Sequence, residues 1–256
     1  MSLYAELAAL IAQGRPFVLA TVIESAGSTP QKPGSKMVVL EDGSLRGTVG
    51  GGAIEWQIIQ AARELFASPA QTRTLETHLT HELGMCCGGK MKVFLEKQEA
   101  PMRLTLFGAG HVAREVAALA HHVGFRVTVV DARPEWASPE RFPGCEVRVE
   151  DPADHARALS PSAQDSFCIT THDHPLDQAV LEALLPKPAA YLGVIGSRRK
   201  AERFRMRLLA AGFEPASLER IRSPMGVAIG ALTPEEIAVS IVAELIQVRR
   251  AATPRR

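Results

Sequence analysis

Aromatic residues, cysteines and an excess of charge of either sign are all scarce in this chain of 256 residues. Aromatic residues make up only 5% of it, so base-stacking platforms for single-stranded nucleic acid are not expected. The formal net charge of +1 likewise argues against a dedicated nucleic-acid surface. Four cysteines in a chain of this length are too few for a disulfide framework, which favours a reducing compartment.

Long apolar runs are also missing, since none approaches the roughly 20 residues that a membrane-spanning helix needs. The N-terminal residues, with an early acid at Glu6, indicate an amphipathic helix and not a secretory signal. Hydrophobic residues make up 46% and charged residues 22% of the chain, an ordinary globular composition. We therefore expect a cytoplasmic protein with neither a membrane nor a nucleic acid as its partner.

One stretch near the middle carries the clearest pattern. An apolar segment at residues 103–107 predicts a buried strand, Gly108 and Gly110 frame a turn, and residues 112–122 predict a helix. This is the opening of a dinucleotide-binding fold, whose glycines let a phosphate approach a helix N-terminus. Asp131 follows the next strand, where such folds place a ribose-binding acid. His111 departs from the pattern, because a titratable side chain stands where the phosphate would lie.

Strands and helices alternate after this stretch, which predicts a parallel, doubly wound sheet with a ligand crevice at the carboxyl ends of its strands. The residues expected at that edge are Gly108, Gly110, His111, Asp131, Arg133, His172, Asp173, His174, Ser197, Arg198 and Lys200. The basic residues 198–200 at a helix start oppose the helix dipole, so they indicate a nearby anion. The pair His172 and His174 either binds a metal or belongs to a polar cap on the following helix. Arg133 would suit a phosphate, so NAD and NADP are not separated.

Two further motifs lie in the N-terminal part. Gly50, Gly51 and Gly52 lead into a helix that contains Glu55, which suits either an anionic ligand or a tight strand-to-helix turn. Cys86 and Cys87 are adjacent and flanked by glycines. Two neighbouring thiols cannot both face one core, so they indicate a soft-metal or sulfur-handling site, the alternative being a glycine hairpin with incidental cysteines.

A polar segment ending in Pro101 predicts the domain boundary. We expect a small N-terminal α/β domain over residues 1–98 and a Rossmann-like, doubly wound parallel-sheet domain over residues 101–250. A basic tail over residues 251–256 follows. The predicted fold class is therefore α/β.

Seven motifs, taken in order, connect the chain to a known family. They lie at residues 27–34, 50–55, 84–89, 107–112, 171–174, 195–200 and 234–244. In their content and order the chain resembles the xanthine dehydrogenase accessory proteins of the XdhC/CoxI family over nearly its whole length. The resemblance implies a small N-terminal domain followed by a Rossmann-like domain, assembled as a homodimer.

The resemblance also implies a molybdenum cofactor chaperone without turnover of its own. Such proteins bind the molybdopterin cofactor, protect its sulfurated form, work with a cysteine desulfurase and help insert the cofactor into apo-xanthine dehydrogenase or a related molybdenum hydroxylase. The cofactor-binding residues expected here are Gly50, Gly51, Gly52, Glu55, Cys86, Cys87, Gly108, Gly110, His111, Asp131, His172, Asp173, His174, Ser197, Arg198 and Lys200. Among these, Cys86 and Cys87 are the expected ligands of the molybdenum.

The chain departs from the family at one position, and two alternative functions stay open. Many relatives carry cysteine where this chain has Ser223, so any sulfur handling here would depend on Cys86 and Cys87. The first alternative is an NAD(P)-dependent oxidoreductase built on the pattern from Gly108 to Asp131, with NAD(P) as its nucleotide. The second alternative is a thiol or metal redox sensor centred on the cysteine pair.

Overall fold

The computed structural model describes residues 2–78 and 89–251. The chain divides into two compact units, Met1–Ala100 and Pro101–Arg256, and each is described by itself. None of the helices within those described ranges is long and apolar enough to cross a membrane.

The first unit is built on a five-stranded antiparallel sheet with the order β3-β2-β1-β5-β4. Its elements are α1 (Leu3–Gln13), β1 (Phe17–Ala26), β2 (Lys36–Leu40), β3 (Leu45–Gly47), α2 (Gly52–Ala67), β4 (Thr72–His78) and β5 (Lys90–Gln98). The apolar face of α2 buries Ile54 and Ile58 against Val18, Val93 and Leu95 of the central strands. This shared core fixes the N-terminus of α2 beyond the end of β3.

The second unit is built on a six-stranded parallel sheet with the order β11-β10-β9-β6-β7-β8. Its strands are β6 (Arg103–Phe107), β7 (Arg126–Val130), β8 (Glu146–Arg148), β9 (Ser166–Ile169), β10 (Tyr191–Val194) and β11 (Ile221–Arg222). Its helices are α3 (His111–His122), α4 (Pro152–Ala158), α5 (His174–Leu184), α6 (Arg198–Ala210), α7 (Pro215–Leu218) and α8 (Pro234–Ala251).

Successive residues of β6 explain why helices cover both faces of this sheet. Side chains alternate between the faces of a strand. Leu106 accordingly packs in the core formed with α3 and α8, while Phe107 packs in the core formed with α4, α5 and α6. The strand order reverses at β6, so the topological switch point lies between the carboxyl ends of β6 and β9.

The α/β fold class predicted from the sequence is confirmed, with a parallel sheet in the second unit. The first unit's sheet is antiparallel throughout. Two short elements, α7 and β11, were not predicted, because four and two residues are too few to show a hydrophobic period. The strand β9 ends at Ile169. Thr170 already belongs to the loop, although its N–H still donates to the Phe107 carbonyl oxygen at 2.8 Å.

Candidate functional site

Gly108 brings the loops after β6 and β9 into direct contact at the switch point. Its φ of +109° suits glycine, and a Cβ there would lie 2.5 Å from the Thr170 carbonyl oxygen. Any larger residue would force the two loops apart. The first glycine of the predicted turn is therefore required by the fold itself.

Gly110 is different, because neither its backbone nor its neighbours demand a glycine. Its φ is −69°, and a Cβ added there would meet nothing within 4 Å. No side chain caps the N-terminus of α3, and the exposed His111 side chain begins that helix. The missing side chain at Gly110 thus leaves an open approach to a helix N-terminus, which suits a ligand next to His111.

Asp131 binds the backbone of the glycine turn from inside the protein. Its buried carboxylate accepts the Ala109 N–H at 2.8 Å and pairs with the Arg133 guanidinium through both oxygens, at 2.9 and 2.8 Å. Burial opposes ionisation, but the hydrogen bonds from Arg133 and Ala109 outweigh it and hold the pKa of Asp131 below its ordinary value. A ribose hydroxyl would have to displace one of these bonds, so the geometry does not favour the nicotinamide alternative.

Trp136 extends this side of the sheet edge and was not singled out from the sequence. The guanidinium carbons of Arg133 and Arg141 lie 5.0 and 4.5 Å from its ring centroid, and the His111 ring meets it edge-on at 5.4 Å. Such cation–π contacts hold the arginines in place. They therefore fix the orientation of Arg133, which Asp131 also binds.

Asp173 caps the helix that follows β9. Its carboxylate accepts the Leu176 N–H at 3.2 Å, and the Thr171 hydroxyl donates to its carbonyl oxygen at 2.9 Å. His172 and His174 are both exposed. No group of three or more metal-ligating side chains occurs in the part of the chain that the structure describes. The observed contacts therefore fit the helix-capping alternative for this segment.

A buried ion pair joins α5 to α6 just beyond these caps. The Asp177 side chain has no solvent exposure, and it accepts the Lys200 ammonium at 2.6 Å. Thr171 supplies two further donors, its N–H at 3.1 Å and its hydroxyl at 2.7 Å, and the His174 Nδ1 lies 3.8 Å from the same carboxylate. Asp177 therefore ties Lys200 to the loop after β9 and fixes the position of its ammonium.

A cavity of about 380 Å³ opens above this ion pair, at the carboxyl ends of β9 and β10. Its wall includes Thr171, His174 and Ser197 from the loops and helix starts, together with the cationic side chains of Arg199, Lys200, Arg203 and Arg207. The Ser197 hydroxyl caps α6 by accepting the Lys200 N–H at 3.3 Å. The structure thus brings His174, Ser197 and Lys200 together as the sequence predicted, while Arg198 does not line this cavity.

In the first unit, the helix that follows the triple glycine supplies a carboxylate that binds the N–H groups of this turn. One Glu55 oxygen accepts the Thr48 hydroxyl at 2.5 Å, the Val49 N–H at 3.1 Å and the Gly51 N–H at 3.0 Å. Burial opposes ionisation, but these bonds outweigh it and lower the pKa of Glu55. All three glycines have positive φ, so the backbone requires them. A phosphate at this turn stays a prediction, and it would have to displace Glu55.

Cys86 and Cys87 lie outside the described residues. Of the other two cysteines, Cys168 is fully buried, and burial together with the charge of Glu244 raises the pKa of its thiol far above the ordinary value. A buried thiol of raised pKa is a poor nucleophile and a poor metal ligand. Cys168 is therefore a core residue.

Comparison with known families decides what kind of protein carries this site. The family model for the XdhC Rossmann domain matches residues 104–245, and that for the XdhC and CoxI family matches residues 10–77. The chain belongs to the XdhC and CoxI family. This confirms the resemblance found in the sequence motifs and places the basic cavity in the XdhC Rossmann domain.

Three curated relatives of this XdhC-family chain align with between 62% and 98% of its length. YqeB of Escherichia coli is 34% identical over 98% of the chain and 47% of its own length. A Bacillus subtilis protein, named as a probable subunit of xanthine dehydrogenase, is 35% identical over 62% of the chain and 46% of its own length. The molybdenum cofactor insertion chaperone PaoD of E. coli is 24% identical over 92% of the chain and 84% of its own length. The chain thus spans about half the length of the first two relatives.

A solved structure supports the same assignment. A crystal structure of a xanthine dehydrogenase from Bacillus halodurans matches this XdhC-family chain with a TM-score of 0.55 and 26% identity. The match covers 98% of this chain and 96% of that one. The order of the two folds along the chain is therefore shared with an experimentally determined relative.

Several residues of the site escaped the sequence analysis. They are Thr171, Asp177, Arg203 and Arg207 around the cavity and Trp136 beside the glycine turn. One signal was available, because Arg199, Arg203 and Arg207 recur every four residues and so share one face of a helix. The partnership of Asp177 with Lys200 gives no such signal, since the two residues lie on different helices.

Proposed function

We propose that this chain binds the molybdenum cofactor and helps insert it into apo-xanthine dehydrogenase or a related molybdenum hydroxylase. Family membership supports this role, together with the relative named as a molybdenum cofactor insertion chaperone, which aligns with 92% of the chain. In this role the cofactor is the cargo and the chain needs no catalytic residue of its own.

The observation that carries the proposal is the concentration of ligand-facing groups at one edge of the parallel sheet. That edge offers an open glycine position at Gly110, the exposed His111 and a cavity with cationic walls. The molybdenum cofactor has an anionic phosphate, a planar pterin and a metal bound through sulfur. Cationic side chains and an open helix N-terminus suit the anionic part of such a ligand.

The metal end of the cofactor calls for a different kind of residue. Thiolates are suitable ligands for a soft metal, and the adjacent Cys86 and Cys87 are the candidates that the sequence supplies. In this proposal they hold the molybdenum of the bound cofactor and protect its sulfurated form. Their place in the proposal depends on the sequence motif alone, because they lie outside the described residues.

The proposal extends to the partners of the chain. A chaperone that protects a sulfurated cofactor needs an enzyme that supplies the sulfur, for which we propose a cysteine desulfurase. It must also meet its client, for which we propose apo-xanthine dehydrogenase or a related hydroxylase in the cytoplasm. We further propose that the working form is a homodimer, as the resemblance to the family implies.

The experiment compares cofactor loading and transfer in matched variants. The full chain is purified from cells that make the cofactor, and bound molybdenum and pterin are quantified by elemental analysis and by fluorescence of the oxidised pterin. Transfer is then followed as activation of an apo-hydroxylase. Cys86→Ala combined with Cys87→Ala should weaken loading or transfer, whereas Cys145→Ala, at a half-exposed thiol away from the motif, should leave both unchanged.

Two results would count against this function. Wild-type chain that carries no pterin and activates no apo-enzyme would contradict the chaperone role itself. Unchanged loading and transfer in the double cysteine variant would instead contradict only the role given to Cys86 and Cys87. The Cys145→Ala control separates a specific effect of the motif from a general sensitivity to thiol loss.

A further inference from the structure

The basic cavity beside α6 is richer in positive charge than folding alone explains. Arg199, Arg203 and Arg207 stand four residues apart, so they lie on one face of the helix and repel one another. Arg207 donates to the neutral Gln178 amide oxygen at 3.1 Å. Across residues 2–78 and 89–251, neither Arg199 nor Arg203 has a carboxylate partner. The positive charges of Arg199 and Arg203 are therefore available to an external anion.

The start of α6 adds to this positive field. Its first turn contains no acidic residue and three basic ones, Arg198, Arg199 and Lys200. The dipole of a helix makes its N-terminus positive, so the charges of Arg198 and Arg199 are unfavourable there until an anion approaches, whereas Lys200 is already paired with Asp177. With 13 residues, α6 is long enough for its N-terminus to carry the partial positive charge of a regular helix. A bound anion would relieve both the dipole and the arginine repulsion.

Asp177 fixes the position of one of these cations, the Lys200 ammonium, before any ligand binds. It holds the Lys200 ammonium at 2.6 Å and is itself fully buried, so the lysine cannot swing away into solvent. An ammonium has three N–H donors, and Asp177 occupies one of them. The others remain for a ligand in the cavity, which Lys200 lines. Asp177 is thus a positioning residue for Lys200.

The two glycine turns are poorer candidates for the same anion. In the first unit the Val49 and Gly51 N–H groups already donate to Glu55. In the second unit the Ala109 N–H already donates to Asp131. Glu55 therefore occupies the first turn, whereas Asp131 takes up one N–H of the second turn and leaves the start of α3 uncapped. The cavity of α6 instead combines open volume with Arg199 and Arg203, which lack a carboxylate partner among the described residues.

From these contacts we infer that the basic cavity is the binding site for a phosphate monoester, the phosphate end of the cofactor. Arg199 and Arg203 would bind the phosphate oxygens with their planar guanidinium groups, and Lys200 would contribute a fixed point charge. Phe204 supplies an apolar wall, and a volume of about 380 Å³ exceeds what a lone phosphate needs. The assignment of this phosphate to the cofactor rests on the proposed function, whereas the anion site itself does not.

The test uses a matched pair of arginines on one helix. Arg203 lines the cavity, while Arg205 is also exposed on α6 but does not line it. Binding of inorganic phosphate to the full chain is measured by titration calorimetry for wild type, Arg203→Ala and Arg205→Ala. Loss of a charge-assisted hydrogen bond should weaken phosphate binding roughly tenfold or more in Arg203→Ala. Arg205→Ala should bind phosphate as wild type does, and circular dichroism checks that both variants fold.

Competition then identifies the source of the phosphate. The isolated cofactor should displace inorganic phosphate from the wild-type chain far more effectively than AMP does. Equal competition by AMP would assign the cavity to nucleotides and overturn its assignment to the cofactor. Wild-type chain that binds the cofactor but not phosphate, or equal weakening in both arginine variants, would overturn the site. A phosphate site sensitive to Arg203→Ala in a chain that binds no cofactor would leave the anion site standing and refute the proposed function.

Discussion

The Asp177–Lys200 pair allows a quantitative test of the site's architecture. Lys200→Met keeps the length and much of the packing of the side chain but removes its charge. The fully buried Asp177 carboxylate then retains the two donors of Thr171, at 3.1 and 2.7 Å, and the His174 Nδ1 at 3.8 Å. Breaking a buried pair from one side typically costs about 3–5 kcal/mol, and the surviving bonds from Thr171 place the expected loss near the lower end, about 3 kcal/mol.

A double variant separates this effect from lost packing. Lys200→Met combined with Asp177→Asn removes both charges and keeps a polar group next to Thr171. The second substitution should therefore recover about 2 kcal/mol of the loss, measured as a coupling energy between the two sites. Such recovery is expected only if the cost of Lys200→Met arises from an unpaired buried carboxylate.

Urea unfolding of the second unit provides the assay. The chain has two tryptophans, Trp56 in the first unit and Trp136 in the second. In a Trp56→Phe background the fluorescence reports the second unit alone, which avoids combining two unfolding transitions. A loss below about 1 kcal/mol in Lys200→Met, or no recovery in the double variant, would refute the buried-pair account.

Three further predictions concern single side chains and are measured by the same unfolding assay. Asp131→Asn should cost about 2 kcal/mol at neutral pH. Folding lowers the pKa of Asp131 below its ordinary value of 3.8, so the stability difference between the variant and wild type should be complete above pH 3.8. The difference should shrink as the pH falls below that value. A stability difference that does not change with pH would contradict this prediction. Glu55→Ala should cost about 1 kcal/mol by freeing the Val49 and Gly51 N–H groups, and Glu55→Gln should cost less; equal costs would argue against the capping role. Ser223→Cys should be stabilising or neutral, because the buried Ser223 hydroxyl has no hydrogen-bond partner among the described residues, and a clear loss of stability would show otherwise.

Local pattern predicted much of the second unit. The strand before Gly108, the helix after it and the later strands other than the two-residue β11 follow from hydrophobic period and turn residues. Because parallel strands end at one edge, the sequence also placed His174, Ser197 and Lys200 at that edge. The structure brings these three residues to one cavity.

Contacts between distant residues were beyond the reach of the same patterns. The sequence marks both glycine turns as open to anions, yet Glu55 and Asp131 occupy their N–H groups. Asp131 reaches its turn over 22 residues through the folded backbone, whereas Glu55 makes a local contact four residues from Gly51 at the start of its own helix. Asp177 likewise meets Lys200 only after α5 and α6 pack side by side. Side-chain partners of this kind depend on tertiary packing, which hydrophobic period does not encode.

Native mass spectrometry of the full chain, purified from cells that make the molybdenum cofactor, tests the central claim most directly. The account predicts an added mass matching one molybdopterin cofactor per chain. It also predicts that a smaller fraction of the Arg203→Ala chain carries this added mass, whereas the Arg205→Ala chain carries it as wild type does. A chain that carries no pterin under these conditions, or that carries a nicotinamide nucleotide in its place, would contradict the claim that this protein is a molybdenum cofactor chaperone.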